Sequence, residues 1–233
     1  MPASVNWNPV IGGAWIAAAG DVHGELSALG RLVDRFEKAA GASVTLMVQV
    51  GDLEIAEDAA PLASEVVYVG GNHDGPSSTK PGFTALGRAG VVERASLRIG
   101  GLSGVYHPRF SEEARTRAGR SAEYSTRDDV AVLLGEKLDV LLLHEWPEGI
   151  AQGGSPHGRL LVERLQPRWV FCGHRHAAFS CEVGASRVRC LADVKRGGVD
   201  AVSFFRLPDL VESAPLEELE AFARHAPGKR GRK

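Results

Sequence analysis

The stretch of sequence that decides the fold is Ala14-Trp15-Ile16-Ala17-Ala18-Ala19-Gly20-Asp21-Val22-His23-Gly24. A short apolar run stops at a glycine and is followed by an aspartate and a histidine that one residue separates. A run of this length and composition predicts a buried β-strand. In an extended chain, residues two apart point to the same side. Asp21 and His23 are therefore expected to face one common region at the carboxyl end of this strand.

The same arrangement recurs four more times along the chain. Further apolar runs, which also predict buried strands, lie at residues 44–50, 66–69, 140–143 and 169–172. The polar side chains that follow them are Asp52, Asn72, His73, His144, His174 and His176. In open α/β sheets, ligands bind beyond the carboxyl ends of the strands, where the loops converge. All five clusters are therefore expected to contribute to one site.

Carboxylate, amide and imidazole groups together form a mixed oxygen and nitrogen shell without a thiolate. Such a shell suits manganese, iron or zinc better than calcium. Two divalent ions about 3.5 to 4 Å apart can activate a shared water and clamp phosphoryl oxygens, which predicts attack of a metal-bridging hydroxide on a phosphate ester. We expect Asp52 to bridge the two ions. The remaining ligands would be Asp21, His23 and His176 for one ion, and Asn72, His144 and His174 for the other.

His73 lies next to the expected ligand Asn72 but is left out of both ligand sets. We expect it to protonate the leaving oxygen of the substrate. Its neighbour Asp74 is expected to orient the His73 ring through a hydrogen bond. His73 and Asp74 are therefore the candidate catalytic residues.

Read in chain order, the clusters form the pattern Asp-x-His, Gly-Asp, Gly-Asn-His-Asp, His and Gly-His-x-His. This pattern resembles the calcineurin-like metallophosphoesterase family. The resemblance implies an α/β fold that is a four-layer αββα sandwich, with two mixed β-sheets flanked by helices. Segments outside the metal motifs, among them Arg98-Ile99-Gly100-Gly101-Leu102-Ser103-Gly104 and His144-Glu145-Trp146-Pro147, are similar to the RNA lariat debranching branch of that family.

The chain departs from the debranching pattern in two places. Many eukaryotic members of that branch carry cysteine where this chain has Asp21, so a harder ligand is expected here. The insert that those enzymes use for lariat recognition would fall between Tyr106 and Tyr124, and it is short in this chain. We therefore expect hydrolysis of a phosphodiester, with nucleic acid or a nucleotide as candidate substrates, but not specifically branched RNA. A phosphomonoesterase and a non-catalytic metal-binding scaffold of the same fold are the alternatives.

Four candidate substrate-binding residues allow two interpretations each. In the segment from Tyr106 to Tyr124, Arg117 and Arg120 could grip a nucleotide backbone while Tyr124 stacks on a base. Alternatively, the segment is a solvated loop of mixed charge. Arg175, which lies between His174 and His176, would either reach a substrate phosphate or form a surface salt bridge.

The rest of the sequence predicts further elements of one domain that covers residues 1–213. Helices are expected at residues 25–40, 126–138 and 155–165, with Thr126 as an N-cap and Pro156 in a first turn. Strands are expected at residues 177–183, 187–191 and 199–206, and two or three short strands around Gly100-Gly101. Residues 214–233 are expected to form a short helix and a flexible basic tail, which is either solvated or binds phosphate.

Composition narrows the choice of partners and compartment. The 233 residues, of which 44% are hydrophobic, suit one large α/β domain. A net charge of −2 gives no overall nucleic-acid footprint, so any contact with a polyanion would be local. No signal peptide or membrane span is recognisable, and the three cysteines are expected to be free thiols, which together predict a cytoplasmic protein.

Overall fold

A computed structural model describes residues 14–56, 62–74, 81–111 and 123–225 of the chain. The strands are β1 (Trp15–Ala19), β2 (Val44–Gln49), β3 (Glu65–Tyr68), β4 (Phe83–Ala85), β5 (Ala89–Arg94), β6 (Leu97–Leu102), β7 (Val140–Glu145), β8 (Trp169–Gly173), β9 (Phe179–Val183), β10 (Ser186–Cys190), β11 (Val202–Arg206) and β12 (Val211–Glu212). The α-helices are α1 (Leu26–Ala40), α2 (Arg127–Leu133), α3 (Pro156–Leu165), α4 (Val194–Gly197) and α5 (Leu216–His225).

The strands form two mixed sheets of six strands each. The first sheet has the order β12-β11-β1-β2-β3-β4, in which β1 to β4 are parallel and β11 runs antiparallel to β1. The second sheet has the order β5-β6-β7-β8-β10-β9, with a parallel centre and an antiparallel strand at each edge. The predicted mixed sheets are therefore confirmed.

The two sheets pack face to face and helices cover both outer faces. On β1, Ile16 and Ala18 belong to the apolar layer between the sheets, whereas Ala17 and Ala19 face the layer that includes α1. This alternation follows from the two-residue period of a strand. On the other side, α2 and α3 pack against the second sheet. The αββα sandwich expected from the sequence is confirmed.

The element boundaries differ from the prediction at several points, and the strand predicted at residues 199–206 begins only at Val202, because Gly198–Ala201 form a 3-10 helix. Helix α2 ends at Leu133, because the chain turns at Gly135, whose φ of 95° is incompatible with helix. Gly100 and Gly101 lie inside β6, and the turn between β5 and β6 is at residues 95 and 96. Both glycines are required by close packing: an added Cβ would lie 2.5 Å from Leu138 and 2.4 Å from Val69, respectively.

The last described element, α5, is the short helix predicted within residues 214–233. It packs on α1, and Arg35 on that helix pairs with Glu220 on α5 at 2.8 Å. Residues 226–233, for which a basic tail was predicted, lie outside the described residues. None of the helices in the described ranges is long and apolar enough to cross a membrane.

Candidate metal centre

The carboxyl ends of β1, β2 and β3 in the first sheet meet those of β7 and β8 in the second. This edge brings together all seven predicted metal ligands. The expectation that the paired ligands lie on extended strand is wrong, because β1 ends at Ala19 and β8 at Gly173. His23, His174 and His176 instead have left-handed φ values of 47°, 66° and 56°. The loops turn back over the strand ends, and that reversal directs the side chains into the site.

One group of possible ligands consists of Asp21, His23 and His176, whose ligand atoms all lie within 4.8 Å of one another. Nε2 of His176 is 3.0 Å from an Asp21 carboxylate oxygen and 3.3 Å from Nε2 of His23. Both backbone geometry and side-chain packing fix Asp21, because its carboxylate accepts the backbone N–H of His174 and is fully buried. Three donor atoms thus converge on one small volume, as a cation requires.

A second group consists of Asp52, His144 and His174, again with ligand atoms within 4.8 Å. The amide oxygen of Asn72 is 3.0 Å from Nε2 of His144, which places Asn72 at the same group. One carboxylate oxygen of Asp52 lies 3.5 Å from Nε2 of His144 and 3.9 Å from Nε2 of His23. Asp52 therefore stands between the two groups, where a bridging ligand is needed.

Burial controls the charge of these residues. Burial raises the pKa of Asp21 to about 8, with Asp52 adding to the increase and the backbone N–H of His174 opposing it. Burial and the neighbouring His144 lower the pKa of His174 to about 4, and burial also lowers the pKa of His144. Both histidines are thus neutral near pH 7, the form that binds metal. A divalent cation bound beside Asp21 would lower its pKa again and favour the ionised carboxylate, which is the form that binds metal.

The buried side chain of Gln49 joins the first two loops of the site. Its amide nitrogen donates to the carbonyl oxygens of Gly20 and Gly51, and its amide oxygen accepts the backbone N–H of Gly51 at 3.0 Å. These bonds span the ends of β1 and β2, immediately before Asp21 and Asp52. Gln49 therefore holds the two aspartate-bearing loops at a fixed separation.

The structure places His73 at the surface of the site but does not join it to Asp74. The His73 side chain is 57% exposed, and its backbone N–H donates to Asp52 at 2.9 Å. The Asp74 carboxylate instead accepts the backbone N–H groups of Gly71 and Glu54, each at 2.8 Å. The expected hydrogen bond from Asp74 to the His73 ring is therefore replaced by bonds that shape the loop backbone.

The candidate substrate-binding residues have different positions. Arg175 lies over the Trp146 ring at 5.0 Å and donates to the carbonyl oxygen of Gln152 at 2.6 Å. Tyr124 is half-buried and stacks on Phe110, with ring centroids 5.1 Å apart. Arg117 and Arg120 lie outside the described residues.

Three further residues at the site, besides Gln49, were not predicted from the sequence. Trp146 stacks on the His174 ring with centroids 6.0 Å apart. Glu54 lies 3.0 Å from Nδ1 of His23, and Asp193 lies 3.6 Å from Nδ1 of His176. Asp193 follows β10 and two apolar residues, so the same signal that identified the other clusters, a polar residue where an apolar run stops, could have found it.

Known proteins with similar sequences include lariat debranching enzymes. The chain is 27% identical over 237 aligned residues to the enzyme of Arabidopsis thaliana, covering 72% of this chain and 56% of that protein. The enzyme of Entamoeba histolytica is 23% identical over 265 aligned residues, covering 87% of this chain and 74% of that protein. The chain thus spans little more than half the length of the Arabidopsis relative.

A solved structure shows the same fold, and a family model matches most of the chain. The crystal structure of the protein TT1561 of Thermus thermophilus has the same fold, with a TM-score of 0.65 at 16% identity over 88% of this chain and 100% of that one. The family model of the calcineurin-like phosphoesterase superfamily domain matches residues 15–192, most of the chain and all of its ligand clusters. The chain therefore belongs to the calcineurin-like phosphoesterase superfamily.

Proposed function

We propose that this protein is a metal-dependent hydrolase that cleaves phosphodiesters, with nucleic acid or a nucleotide as the substrate class. The observation that carries the proposal is the convergence of two ligand groups on Asp52, one carboxylate oxygen of which lies within 4 Å of a histidine from each group. Membership of a phosphoesterase superfamily supports the same chemistry.

The seven converging side chains would hold two divalent ions, for which manganese, iron and zinc are the candidates. Asp21, His23 and His176 would hold one ion, Asn72, His144 and His174 the other, and Asp52 would bridge them. Two such ions, when bound, lower the pKa of a shared water and stabilise charge on the phosphoryl oxygens. The residues themselves contribute orientation, because Gln49 and the backbone bonds to Asp21 and Asp52 fix the carboxylates.

His73 is the proposed proton donor to the leaving oxygen. Its exposed ring lies beside His23, with ring centroids 5.5 Å apart, while its backbone is anchored on Asp52. This combination supports the role, since the ring can reach a bound ester without leaving the centre. Asp74 would act on the loop backbone, given its hydrogen bonds to Gly71 and Glu54.

A nucleic-acid type of diester is favoured over other phosphate esters by the similarity to lariat debranching enzymes. Aromatic and basic side chains near the site would provide the contacts. Tyr124 would stack on a base, and Arg175, which keeps further guanidinium donors besides the one bonded to Gln152, would approach a phosphate. Arg117 and Arg120 are proposed to contact the backbone of a longer substrate.

We also propose a reducing, cytoplasmic setting for the protein. The three cysteines support this proposal because they are free thiols, and two of them, Cys172 and Cys190, are fully buried on neighbouring strands. Secreted proteins commonly use their cysteines in disulfides.

The proposed activity is tested with a panel of 2′,5′- and 3′,5′-linked dinucleotides, a chromogenic diester and a phosphomonoester, each with manganese, iron or zinc. Removal of metal by a chelator, or Asp52→Asn, should abolish turnover of the diesters, and added metal should restore it in the wild type. Turnover that persists in metal-free protein would refute the mechanism. Preference for the monoester would favour the phosphomonoesterase, and metal binding without any turnover would favour the non-catalytic scaffold.

A further inference from the structure

For two histidines of the candidate metal centre, a carboxylate lies near Nδ1, the ring nitrogen that faces away from the other ligands. His23 directs Nε2 towards the other ligands, and its Nδ1 lies 3.0 Å from the Glu54 carboxylate. His176 has a similar but longer contact, with Nδ1 at 3.6 Å from the Asp193 carboxylate, just beyond hydrogen-bond distance. A partner on Nδ1 fixes the tautomer that leaves Nε2 free for a metal. Both histidines belong to the group that contains Asp21.

Asp193 is held in place by contacts that leave one of its oxygens without a partner. Oδ1 accepts the backbone N–H of Arg196 at 2.8 Å, as the N-cap of α4. The following residue, Val194, donates its backbone N–H to the carbonyl oxygen of Asp21 at 2.8 Å. Among the described residues, Oδ2 is buried and has no hydrogen-bond partner. Since a buried polar atom without a partner is costly, this oxygen needs the His176 Nδ1–H beside it.

Glu54 is positioned by a backbone conformation that its residue type does not favour. Its φ is 47°, in the left-handed region, and its backbone N–H is held by the Asp74 carboxylate at 2.8 Å. A left-handed residue other than glycine is strained and persists only where its surroundings impose it. In this conformation the Glu54 carboxylate lies 3.0 Å from Nδ1 of His23.

The buried histidine of the second ligand group, His144, hydrogen-bonds a backbone carbonyl rather than a carboxylate, and the carboxylate 3.9 Å from its Nδ1 belongs to Asp21, a ligand of the first group. Nδ1 of His144 is 2.9 Å from the backbone carbonyl oxygen of Val50, which is a neutral acceptor. Within this group, Asn72 is also neutral, and Asp52 is shared with the first group. The group of Asp21, His23 and His176 therefore has three carboxylates of its own, counting Glu54 and Asp193, whereas the other group has none.

We propose that Glu54 and Asp193 are positioning residues that make the Asp21, His23 and His176 group the tighter of the two metal sites. The protein then loads its two ions unequally, with the first ion at this group. This inference rests on the proposed function only in that both require metal at these residues. Loss of a carboxylate behind a metal-binding histidine costs about 10- to 100-fold in metal affinity.

The test is titration of Mn²⁺ into chelator-treated protein, followed by calorimetry and by the electron paramagnetic resonance signal of free Mn²⁺. The wild type should bind two ions in two steps, and Asn72→Ala should remove the weaker step and leave the tighter one. Glu54→Gln and Asp193→Asn should each weaken the tighter step about 10- to 100-fold. Asp128→Asn, which removes an exposed carboxylate on α2, is the matched control and should change neither step.

If Glu54 and Asp193 only stabilised the fold, their replacement would lower the thermal unfolding midpoint of the metal-free protein. The proposal expects a different result. Asparagine can still cap α4, so Asp193→Asn should leave the thermal unfolding midpoint of the metal-free protein unchanged while metal affinity falls. Glu54 is an exposed residue, so Glu54→Gln provides a second variant that should fold.

Metal-binding steps that are unchanged in both variants would overturn the proposal. Equal weakening of both steps, a single step for two equivalent ions, or loss of the tighter step in Asn72→Ala would also overturn it. Unequal loading without hydrolysis of any ester would instead overturn only the proposed function.

Discussion

Replacement of Gly71 by alanine tests how closely the position of Asp52 controls activity. An alanine Cβ at residue 71 would lie 2.1 Å from the Asp52 carboxylate oxygen, 2.5 Å from the Asp52 backbone nitrogen and 2.7 Å from a His144 ring carbon, so both the side chain and the backbone of Asp52 must move. Ordinary contacts begin at 3.4 Å, so the oxygen must retreat by about 1.3 Å, the difference between 3.4 and 2.1 Å. Misplacement by about 1 Å at a reacting centre costs about 10²-fold in rate. We expect Gly71→Ala to lower kcat/KM for a chromogenic diester by that factor.

Gly70 provides a matched control one residue away. An alanine Cβ there would lie 3.7 Å from the Ser103 hydroxyl, which is an ordinary contact. Neither glycine has a left-handed φ, so alanine fits the backbone at both positions. The backbone N–H bond from Gly70 to the Ser103 hydroxyl needs no change in the control variant, because the added Cβ makes only an ordinary contact. Gly70→Ala should therefore keep activity within about twofold of the wild type, because no ligand has to move.

The assay compares both variants with the wild type in Mn²⁺-dependent turnover of bis(p-nitrophenyl) phosphate. Circular dichroism establishes that each variant is folded, and elemental analysis measures the bound metal. If Gly71→Ala is folded, retains its metal and keeps more than half of the wild-type rate, the constraint on Asp52 is absent. If the two variants lose activity equally, flexibility of the loop rather than displacement of Asp52 is the cause.

Three further predictions concern the leaving group, the substrate and stability. His73→Ala should slow hydrolysis of alkyl diesters much more than that of p-nitrophenyl diesters, because only a poor leaving group needs a proton; a flat dependence on leaving-group pKa would exclude the role. Replacing Arg117 and Arg120 by alanine should reduce turnover of an oligonucleotide more than that of a chromogenic diester, and equal effects would exclude contact with a nucleotide backbone. Although burial raises it, hydrogen bonds from Arg88 hold the pKa of Asp129 below its ordinary value of 3.8, so this contribution to stability is present above pH 3.8 and is lost as pH falls through the lower folded value. Asp129→Asn should therefore destabilise the protein by about 3 kcal/mol at pH 7 and by progressively less as pH falls below 3.8, as urea unfolding over that pH range would measure.

The ligand set could be predicted from sequence because of where its residues fall along the chain. Each follows a short apolar run, and parallel strands bring their carboxyl ends to one edge. The direction of the side chains could not be predicted in this way. A two-residue period on extended chain was expected for Asp21 and His23, but the loop reverses at His23, where φ is 47°. The convergence therefore depends on turns whose geometry the residue pattern alone does not specify.

Contacts between loops that are distant in sequence explain why some residues of the site were not predicted. Glu54 follows Asp52 of the Gly-Asp motif by two residues, but its contact with His23 depends on how the loops after β1 and β2 approach each other, where the His23 N–H donates to the Asp52 carbonyl at 2.8 Å. The short strands predicted around Gly100 and Gly101 exist, but both glycines lie inside β6, where contacts with Leu138 and Val69 from other parts of the chain require them. In both cases, residues distant in sequence decide the outcome.

The left-handed residues indicate how this fold maintains its site. Besides glycines, His23, Asp52, Glu54, His174 and His176 all have φ between 47° and 66°. Such a conformation costs of order 1 kcal/mol or more for each residue, and glycine would avoid the cost. Glycine has no side chain, however, so it cannot replace a ligand at these positions. The buried core beneath the site holds the ligands and Glu54 in these strained conformations. The strain is the energetic cost of directing their side chains inward. What ties Glu54 to the metal centre is its contacts, since its backbone N–H donates to Asp74 at 2.8 Å and its carboxylate lies 3.0 Å from Nδ1 of His23.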